Sequence, residues 1–223
     1  MTTKHSTAQA PARPRLLDLF CGAGGAGMGY YRAGFDVVGV DIKPQPRYPF
    51  EFHQGDALEY CAAHGAEFDV IHASPPCQAY STATLDHSKH PDLYEPTRKL
   101  LECTGLPWVI ENVIGAPYQS GIVLCGSMFD MRIRRHRNFE ASFLMFQPAC
   151  QHEGRERPIT ITGHGGSKWQ DYKHSRKAPV QMWPELMGMP WSTWREAVLA
   201  IPPAYTEYIG AQLLQALNHE HEA

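Results

Sequence analysis

Four residues in short motifs have side chains suited to nucleophilic and acid–base chemistry. Cys77 follows two prolines in the run Ser-Pro-Pro-Cys-Gln, Glu111 opens the run Glu-Asn-Val, and Arg135 and Arg137 flank a histidine. A thiolate is a soft nucleophile, a carboxyl group can hold or donate a proton, and a guanidinium stabilises developing negative charge. If these side chains meet in one cleft, they form a site for covalent catalysis.

A second group of motifs suits the binding of a nucleotide-like ligand. Residues 21–27 read Cys-Gly-Ala-Gly-Gly-Ala-Gly between a predicted strand and a predicted helix. In that setting glycines let the backbone approach a ligand closely. Asp41 ends the next predicted strand, where it could accept hydrogen bonds from ribose, and Asp56 lies in a later loop. Each aspartate alone is more commonly a cap or turn residue, but the three features together favour an adenosine-containing cofactor.

Alternating strands and helices are predicted to position these motifs. Short apolar runs predict strands at residues 16–20, 35–40, 68–73, 108–111 and 122–125. Helices are predicted after the glycine-rich run through residue 33, and at residues 56–64, 94–103, 182–189 and 205–217. The alternation predicts an α/β domain with a mainly parallel sheet. Active sites in such sheets lie at the carboxyl ends of the strands, and there Cys77 directly follows one predicted strand and Glu111 ends another.

Length and composition predict one domain without a membrane span or a secretion signal. The chain has 223 residues, of which 43% are hydrophobic and 19% are charged. The first fifteen residues are polar and rich in Pro and Ala, without the apolar core of a signal peptide. Six scattered cysteines form no CxxC pair, so we expect reduced thiols and a cytoplasmic protein.

Charge is segregated along the chain, although the net charge is only −3. Residues 131–177 contain ten Lys and Arg against four Asp and Glu, a net charge of +6, and the remainder has a net charge of −9. Four arginines within residues 132–137 form a dense cluster suited to phosphate or to an electron-rich base. This distribution indicates a nucleic-acid partner more clearly than the net charge does.

The ordered motifs resemble those of the cytosine-C5 DNA methyltransferases. Five segments match in the order of that family: residues 18–25 (Asp-Leu-Phe-Cys-Gly-Ala-Gly-Gly), 75–78 (Pro-Pro-Cys-Gln), 111–113 (Glu-Asn-Val), 135–137 (Arg-His-Arg) and 185–190 (Glu-Leu-Met-Gly-Met-Pro). The resemblance implies a Rossmann-like methyltransferase fold with a small loop-rich insert. It also implies S-adenosylmethionine as cofactor, S-adenosylhomocysteine as product and double-stranded DNA as partner. We expect a monomer from a bacterium or a phage-infected cell.

The resemblance assigns roles to individual residues. Cys77 would be the nucleophile, Glu111 would meet N3 and the amino group of a flipped-out cytosine, Arg137 would meet its O2, and Arg135 would support Glu111 or a phosphate. Asp41 would bind the ribose of the cofactor. The residues implied at the cofactor are Phe20, Cys21, Gly22, Ala23, Gly24, Gly25, Asp41, Ile42, Asp56 (at the adenine), Ala57, Pro76, Gly210 and Ala211. The residues expected at the nucleic acid are Gln78, Ser81, Lys168, Lys173, Arg176 and Lys177.

The motifs divide the chain into five parts and show where it departs from the family. The parts are a flexible leader (1–15), a catalytic and cofactor-binding core (16–140), a target-recognition insert (141–180), closing motifs that complete the core (181–217) and a tail (218–223). The insert is far shorter than a typical target-recognition segment, although six Lys and Arg interleaved with Trp169 and Tyr172 suit phosphate contacts and base stacking. We expect short or relaxed sequence recognition. Ala211 stands where the family usually has Asn, and Tyr80 where it usually has Phe.

A metal site is not expected from the spacing of the candidate ligands. Cys125, Cys150, His152 and His164 lie within or near the insert, but their spacing fits no standard zinc pattern.

Three other functions stay open at this point. The chain could be a transfer-RNA cytosine methyltransferase, a catalytically silent DNA-binding regulator on the same fold, or a generic dinucleotide-binding protein. The presence of Cys77, Glu111 and Arg137 together disfavours the silent regulator. Generic dinucleotide binding leaves the motifs around Cys77 and Glu111 unexplained.

Overall fold

A seven-stranded sheet forms the centre of the protein in the computed structural model, which describes residues 12–81, 84, 86–152, 159, 161 and 178–222. The strands are β1 (Arg15–Leu19), β2 (Asp36–Asp41), β3 (Glu51–Gln54), β4 (Val70–Ala73), β5 (Trp108–Asn112), β6 (Ile122–Leu124) and β7 (Arg137–Ala141). The α-helices among these residues are α1 (Gly25–Ala33), α2 (Ala57–His64), α3 (Tyr94–Thr104), α4 (Trp183–Met187), α5 (Trp194–Ala197) and α6 (Pro203–Glu222).

The sheet is mostly parallel and ends in two antiparallel pairings. The strand order is β3-β2-β1-β4-β5-β7-β6, with parallel pairing from β3 to β5 and antiparallel pairing of β7 with both neighbours. This confirms the predicted α/β class. Because β7 runs in the opposite direction to β5, its first residues lie at the carboxyl end of β5, and Asn138 pairs with Asn112. Arg137 thereby reaches the edge of the sheet at which β4 and β5 end.

Each face of the sheet has its own hydrophobic core, because neighbouring residues of a strand point to opposite faces. In β1, Leu16 packs on the face covered by α1 and α6, in the same cluster as Tyr205 and Leu213. Leu17 packs on the other face, in the cluster that contains Leu101 of α3. Both leucines are fully buried, so β1 has the continuous apolar run expected of a central parallel strand.

Several elements differ from the sequence prediction. Strands β3 and β7 and helix α5 were not predicted. The helix predicted at residues 182–189 is a 3₁₀ turn, Val180–Met182, followed by α4, which ends before Gly188 at φ 74°. Helix α5 begins with a capping box of Thr193 and Glu196. Helix α6 begins at Pro203 and continues to Glu222, beyond both predicted ends.

Parts of the predicted leader and insert lie outside the described residues. Of the leader, residues 12–15 are described: Arg13 donates a hydrogen bond to the carbonyl oxygen of Gly34 at 2.9 Å, and β1 begins at Arg15. Within the insert, Ile159 and Ile161 are buried in a cluster with residues of α4 and α5. No helix in the described part of the chain has the length and apolar character needed to cross a membrane.

Candidate active site

The Cys77 side chain lies directly beyond the carboxyl end of β4. Cys77 is half-buried and begins a 3₁₀ turn, Cys77–Ala79, after the extended backbone of Pro76. The preceding loop is held by Asn112 at the end of β5, whose Nδ2 donates a hydrogen bond to the carbonyl oxygen of Pro75 at 3.0 Å. Asn112 is itself buried, and its Oδ1 accepts from the backbone amide of Val113 at 2.9 Å. One amide side chain thereby fixes the loop that carries Cys77 against the neighbouring strand.

Glu111 and Arg137 form an ion pair across the β5 and β7 strands. Arg137 Nε donates to Glu111 Oε1 at 3.0 Å, and the side chains are 18% and 8% exposed, respectively. Arg137 Nη1 also donates to the carbonyl oxygen of His136 at 2.8 Å, which fixes the plane of the guanidinium. A buried carboxylate costs free energy unless it is paired, so the arginine stabilises the ionised form of Glu111.

Cys77, Glu111 and Arg137 act on one another electrostatically. Burial raises the pKa of the Cys77 thiol, the positive charge of Arg137 opposes that rise, and the negative charge of Glu111 adds to it. Burial also raises the pKa of Glu111, again opposed by Arg137. The carboxyl group of Glu111 therefore takes up a proton more readily than an ordinary glutamate does, which suits a group that acts as a proton donor.

A buried chain of hydrogen bonds reaches Glu111 from the interior of the protein. Ser74 hydrogen bonds to Glu111, His72 Nε2 lies 2.9 Å from Ser74 Oγ, and His72 Nδ1 lies 3.1 Å from Tyr30 Oη. Burial lowers the pKa of His72 to about 3, so the imidazole is neutral. A neutral imidazole donates from one nitrogen and accepts at the other, so donation can run from Tyr30 through His72 and Ser74 to the glutamate. This chain orients the carboxyl group.

Among the described residues, Arg135 hydrogen bonds to backbone carbonyl oxygens and pairs with no carboxylate. Its Nη2 donates to the carbonyl oxygens of Val198 at 2.8 Å and Ala200 at 3.0 Å, and its Nη1 donates to that of Ile161 at 3.3 Å. Burial lowers the pKa of the guanidinium to about 9. Arg135 thus connects the Arg-His-Arg motif to the C-terminal segment, and its expected role beside Glu111 or a phosphate stays a prediction.

The glycine-rich loop after β1 has a backbone shaped for a ligand. Phe20, Gly22 and Gly24 have φ values of 58°, 52° and 80°, and a positive φ is uncommon for a residue with a side chain such as Phe20. A Cβ added at Gly22 would meet nothing within 4 Å, so this turn of the loop has an open side. Asp41 at the end of β2 accepts from the backbone amides of Gly22 at 3.0 Å and Lys43 at 2.9 Å.

The surrounding predicted cofactor residues occupy the same edge of the sheet. Asp56 caps α2, because its Oδ1 accepts from the amides of Leu58 and Glu59, and the buried Ala57 begins the helix. Ile42 is 65% exposed, and Pro76 is exposed next to Cys77. An open glycine turn, a carboxylate at the end of β2 and an exposed apolar side chain beside it fit the methionine, ribose and adenine portions of S-adenosylmethionine.

Other predicted cofactor residues have packing contacts. Cys21 and Ala23 are buried, the carbonyl oxygen of Ala23 accepts from Trp191 Nε1 at 2.8 Å, and a Cβ at Gly25 would lie 2.3 Å from the carbonyl oxygen of Ile201. The loop is therefore fixed against the C-terminal segment.

Gly210 and Ala211 lie on α6, away from the glycine-rich loop. Gly210 faces α1, where an added Cβ would lie 2.6 Å from the Cβ of Ala33, the last residue of that helix, and Ala211 is exposed. Because α1 begins at the glycine-rich loop, its last residue lies at the opposite end of the helix. The structure thus gives Gly210 a helix-packing contact and does not bring it to the loop, and the expected cofactor contacts of both residues stay predictions.

The residues expected at the nucleic acid fall into two groups. Gln78 and Ser81 follow Cys77, and the backbone amide of Ser81 donates to the carbonyl oxygen of Cys77 at 2.8 Å. The others, Lys168, Lys173, Arg176 and Lys177, lie outside the described residues.

Residues that orient the site were missed from the sequence. Asn112 and Ser74 belong to the quoted motifs, but only their contacts show that they hold the loop that carries Cys77 and the carboxyl group of Glu111. A histidine within the apolar strand β4, His72, was an available signal, because a buried polar group needs a partner. Trp191 gave no signal of its contact with the glycine-rich loop.

Comparison with known proteins gives a consistent result. The C-5 cytosine-specific DNA methylase model matches residues 15–113. The chain is 34% identical over 122 residues to the type II methyltransferase M.XorII of Xanthomonas oryzae pv. oryzae, covering 46% of this chain and 29% of that protein. It is 29% identical over 133 residues to the type II methyltransferase M.AgeI of Thalassovita gelatinovora, covering 51% of this chain and 31% of that protein. The chain thus spans less than a third of the length of these curated relatives.

The fold also matches a solved structure along almost its whole length. A candidate DNA modification methyltransferase encoded within an E. coli prophage superposes with a TM-score of 0.64 at 16% identity, covering 92% of this chain and 99% of that one. This likeness confirms the methyltransferase fold.

Proposed function

We propose, from the match of residues 15–113 to the C-5 cytosine-specific DNA methylase model, that this protein transfers a methyl group from S-adenosylmethionine to C5 of cytosine in DNA. The observation that carries the proposal is the convergence of Cys77, Glu111 and Arg137 at one edge of the sheet. Arg137 pairs with Glu111 at 3.0 Å, and both charges act on the Cys77 thiol. A chain that had lost catalysis would have no need to keep these three groups together.

Each side chain has a task in the proposed reaction. The C5 carbon of cytosine is a poor nucleophile until a group adds to C6, and the thiolate of Cys77 is suited to that addition. As the bond from sulfur to C6 forms, an electron pair moves towards N3 and O2 of the base. Protonated Glu111 donates to N3, and Arg137 donates to O2, in a site that is largely shielded from water.

The end of the reaction restores the thiolate. When bound, S-adenosylmethionine supplies an electrophilic methyl group for C5 and leaves as S-adenosylhomocysteine. Transfer of the C5 proton to solvent, with return of the N3 proton to Glu111, then expels Cys77 as the thiolate, and aromaticity of the base returns. A base within a stacked duplex cannot reach a thiol beyond the end of β4, so the target cytosine must be flipped out of the helix.

A covalent trap tests the proposed function. Replacement of the C5 hydrogen of the target by fluorine blocks the final elimination, so the wild-type protein should form a stable adduct with duplex DNA that contains 5-fluorocytosine, in the presence of cofactor. Cys77→Ser should form no adduct and should still bind the cofactor, because a hydroxyl is a far weaker nucleophile at neutral pH. Cys103→Ser, at an exposed cysteine of α3, is the matched control. Adduct formation by Cys77→Ser would refute the assignment.

The same assay decides the nucleic acid. Parallel reactions with duplex DNA and with transfer RNA distinguish the proposed substrate from an RNA substrate. Methylation of RNA alone would retain the chemistry and overturn the proposed partner. Bisulfite sequencing of DNA from cells that express the protein then gives the recognition sequence, which we expect to be short.

A further inference from the structure

Four side chains outside the catalytic trio converge on one point beside the Arg-His-Arg motif. They are Cys125, His136, Cys150 and His152, and their ligand atoms all lie within 4.8 Å of one another. The Sγ of Cys125 lies 3.4 Å from His152 Nε2. The Sγ of Cys150 lies 3.7 Å from His136 Nε2 and 2.9 Å from His152 Nε2.

We propose that these two cysteines and two histidines bind a structural zinc ion. A tetrahedral zinc ion, with Zn–S near 2.3 Å and Zn–N near 2.0–2.1 Å, separates its ligand atoms by about 3.3–3.8 Å. Two of the three sulfur-to-nitrogen distances, 3.4 and 3.7 Å, lie within that range, and the third, 2.9 Å between Cys150 Sγ and His152 Nε2, is shorter and has to lengthen when the ion binds. Two thiolates and two imidazoles are a donor set that zinc prefers, and four protein ligands leave no position open for a substrate. The site is therefore structural.

A residue beside the cluster supports the two sulfur ligands. Ser127 is buried, and its Oγ lies 3.5 Å from the Sγ of Cys125 and 3.4 Å from the Sγ of Cys150. A hydroxyl at this position donates a hydrogen bond to a metal-bound thiolate and orients it. Ser127 is a positioning residue in this scheme.

The zinc ion joins three separate parts of the chain. Cys125 directly follows β6, His136 directly precedes β7, and Cys150 and His152 lie near the beginning of the predicted insert. His136 is also the central residue between Arg135 and Arg137, and its carbonyl oxygen accepts from the catalytic arginine. An ion at this point holds the start of the insert against the antiparallel end of the sheet and fixes the backbone that presents Arg137.

The sequence did not indicate this site because its spacing is irregular. Cys150 and His152 are close in sequence, but Cys125 and His136 come from the two sides of a loop that only the pairing of β6 with β7 closes. Of the four residues named from the sequence, His164 lies outside the described residues, and the structure supplies His136 in addition to the other three.

Metal content tests the proposal without reference to activity. The full-length protein, expressed with added zinc and purified without chelator, should contain one zinc ion per chain by inductively coupled plasma mass spectrometry. Cobalt substitution should give the visible d–d bands of a tetrahedral ion together with a thiolate-to-cobalt charge-transfer band. Hydrogen exchange of the peptide that covers residues 142–152 should become faster when zinc is removed.

Variants locate the ion. Cys150→Ser and His152→Ala change residues that are not fully buried, so they should fold and lose zinc affinity by more than about a hundredfold, and Ser127→Ala should lose about tenfold. Cys103→Ser should keep its zinc. The proposal would be overturned if the wild-type protein stayed zinc-free after reconstitution under reducing conditions, or if both ligand variants kept full zinc content.

Discussion

Replacement of Glu111 by Gln should slow methyl transfer and at the same time make the Cys77 thiol more reactive. The amide has the shape of the carboxyl group and keeps a hydrogen bond to Arg137, but it lacks the negative charge and the transferable proton. Hydrogen bonds to charged groups contribute about 1.5–3 kcal/mol, and the Glu111 side chain is 8% exposed, so we expect the exchange to cost about 1–2 kcal/mol of stability.

Two kinetic effects of opposite sign follow from the same substitution. Positioned proton donors contribute about 100- to 10,000-fold to a rate, so methyl transfer should slow by that factor, or about 3–5 kcal/mol in barrier height. The Cys77 thiol should become more reactive. The charge of Glu111 raises the pKa of Cys77 and Arg137 lowers it, so loss of the carboxylate lowers the pKa and increases the thiolate fraction at pH 7.

The assay pairs single-turnover methyl transfer with alkylation. Iodoacetamide modification of the Cys77 peptide, followed by mass spectrometry over a range of pH, reports the thiolate directly. Arg137→Gln is the reciprocal variant, in which both methyl transfer and alkylation should slow. If Glu111→Gln left alkylation of Cys77 unchanged or made it slower, or if it retained wild-type methyl transfer, the electrostatic reasoning for the trio would be refuted.

Three further substitutions test residues that support the site. Burial raises the pKa of Asp18 from 3.8 to about 7, so stability should fall by up to about 4 kcal/mol as the pH rises from about 4 to about 7, and Asp18→Asn should remove that part of the pH dependence in urea unfolding. Asp41→Ala should weaken S-adenosylmethionine binding by about ten- to a hundredfold in calorimetry. Asp36→Ala, at the exposed start of the same strand, should leave the affinity for S-adenosylmethionine unchanged. Equal losses of affinity in the two variants would contradict the placement of the cofactor beside Asp41. Asn112→Asp removes the donor to Pro75, so kcat should fall with little change in KM, whereas unchanged kcat would show that the loop holds without it.

The strands that could be predicted from the sequence are those in which apolar, buried side chains follow one another along the chain. Strands β1, β2, β4, β5 and β6 lie within two residues of their predicted ends, because each contains a run of buried aliphatic side chains. Strand β7 was missed because its buried residues include Asn138 and Glu140. Glu140 accepts from Tyr94 at 2.8 Å and from Arg98 at 2.9 Å, and local sequence gives no sign of partners from a distant helix.

The candidate site shows the same division. The motifs predicted that Cys77 and Glu111 would meet, because Cys77 follows one strand of the predicted parallel sheet and Glu111 lies at the carboxyl end of another. The position of Arg137 depends on the reversed direction of β7, and the contacts of Arg135 with Val198 and Ala200 depend on how the C-terminal segment folds back. Such contacts join residues that are far apart in sequence, so the local sequence around each residue does not predict them.

The antiparallel pairing of β5 with β7 determines which parts of the sequence can vary during evolution without disturbing the catalytic pair. The catalytic pair is contained in one ladder, which ends at Ala141, and the chain returns to that ladder through Cys150 and His152 before it continues. The pairing of Glu111 with Arg137 is therefore set within this ladder, whereas Ile159 and Ile161 of the following segment are tied to the backbone of Arg132 and to the Arg135 side chain and are buried. A lineage built on this topology can change sequence outside the ladder while it inherits the Glu111–Arg137 pair unchanged.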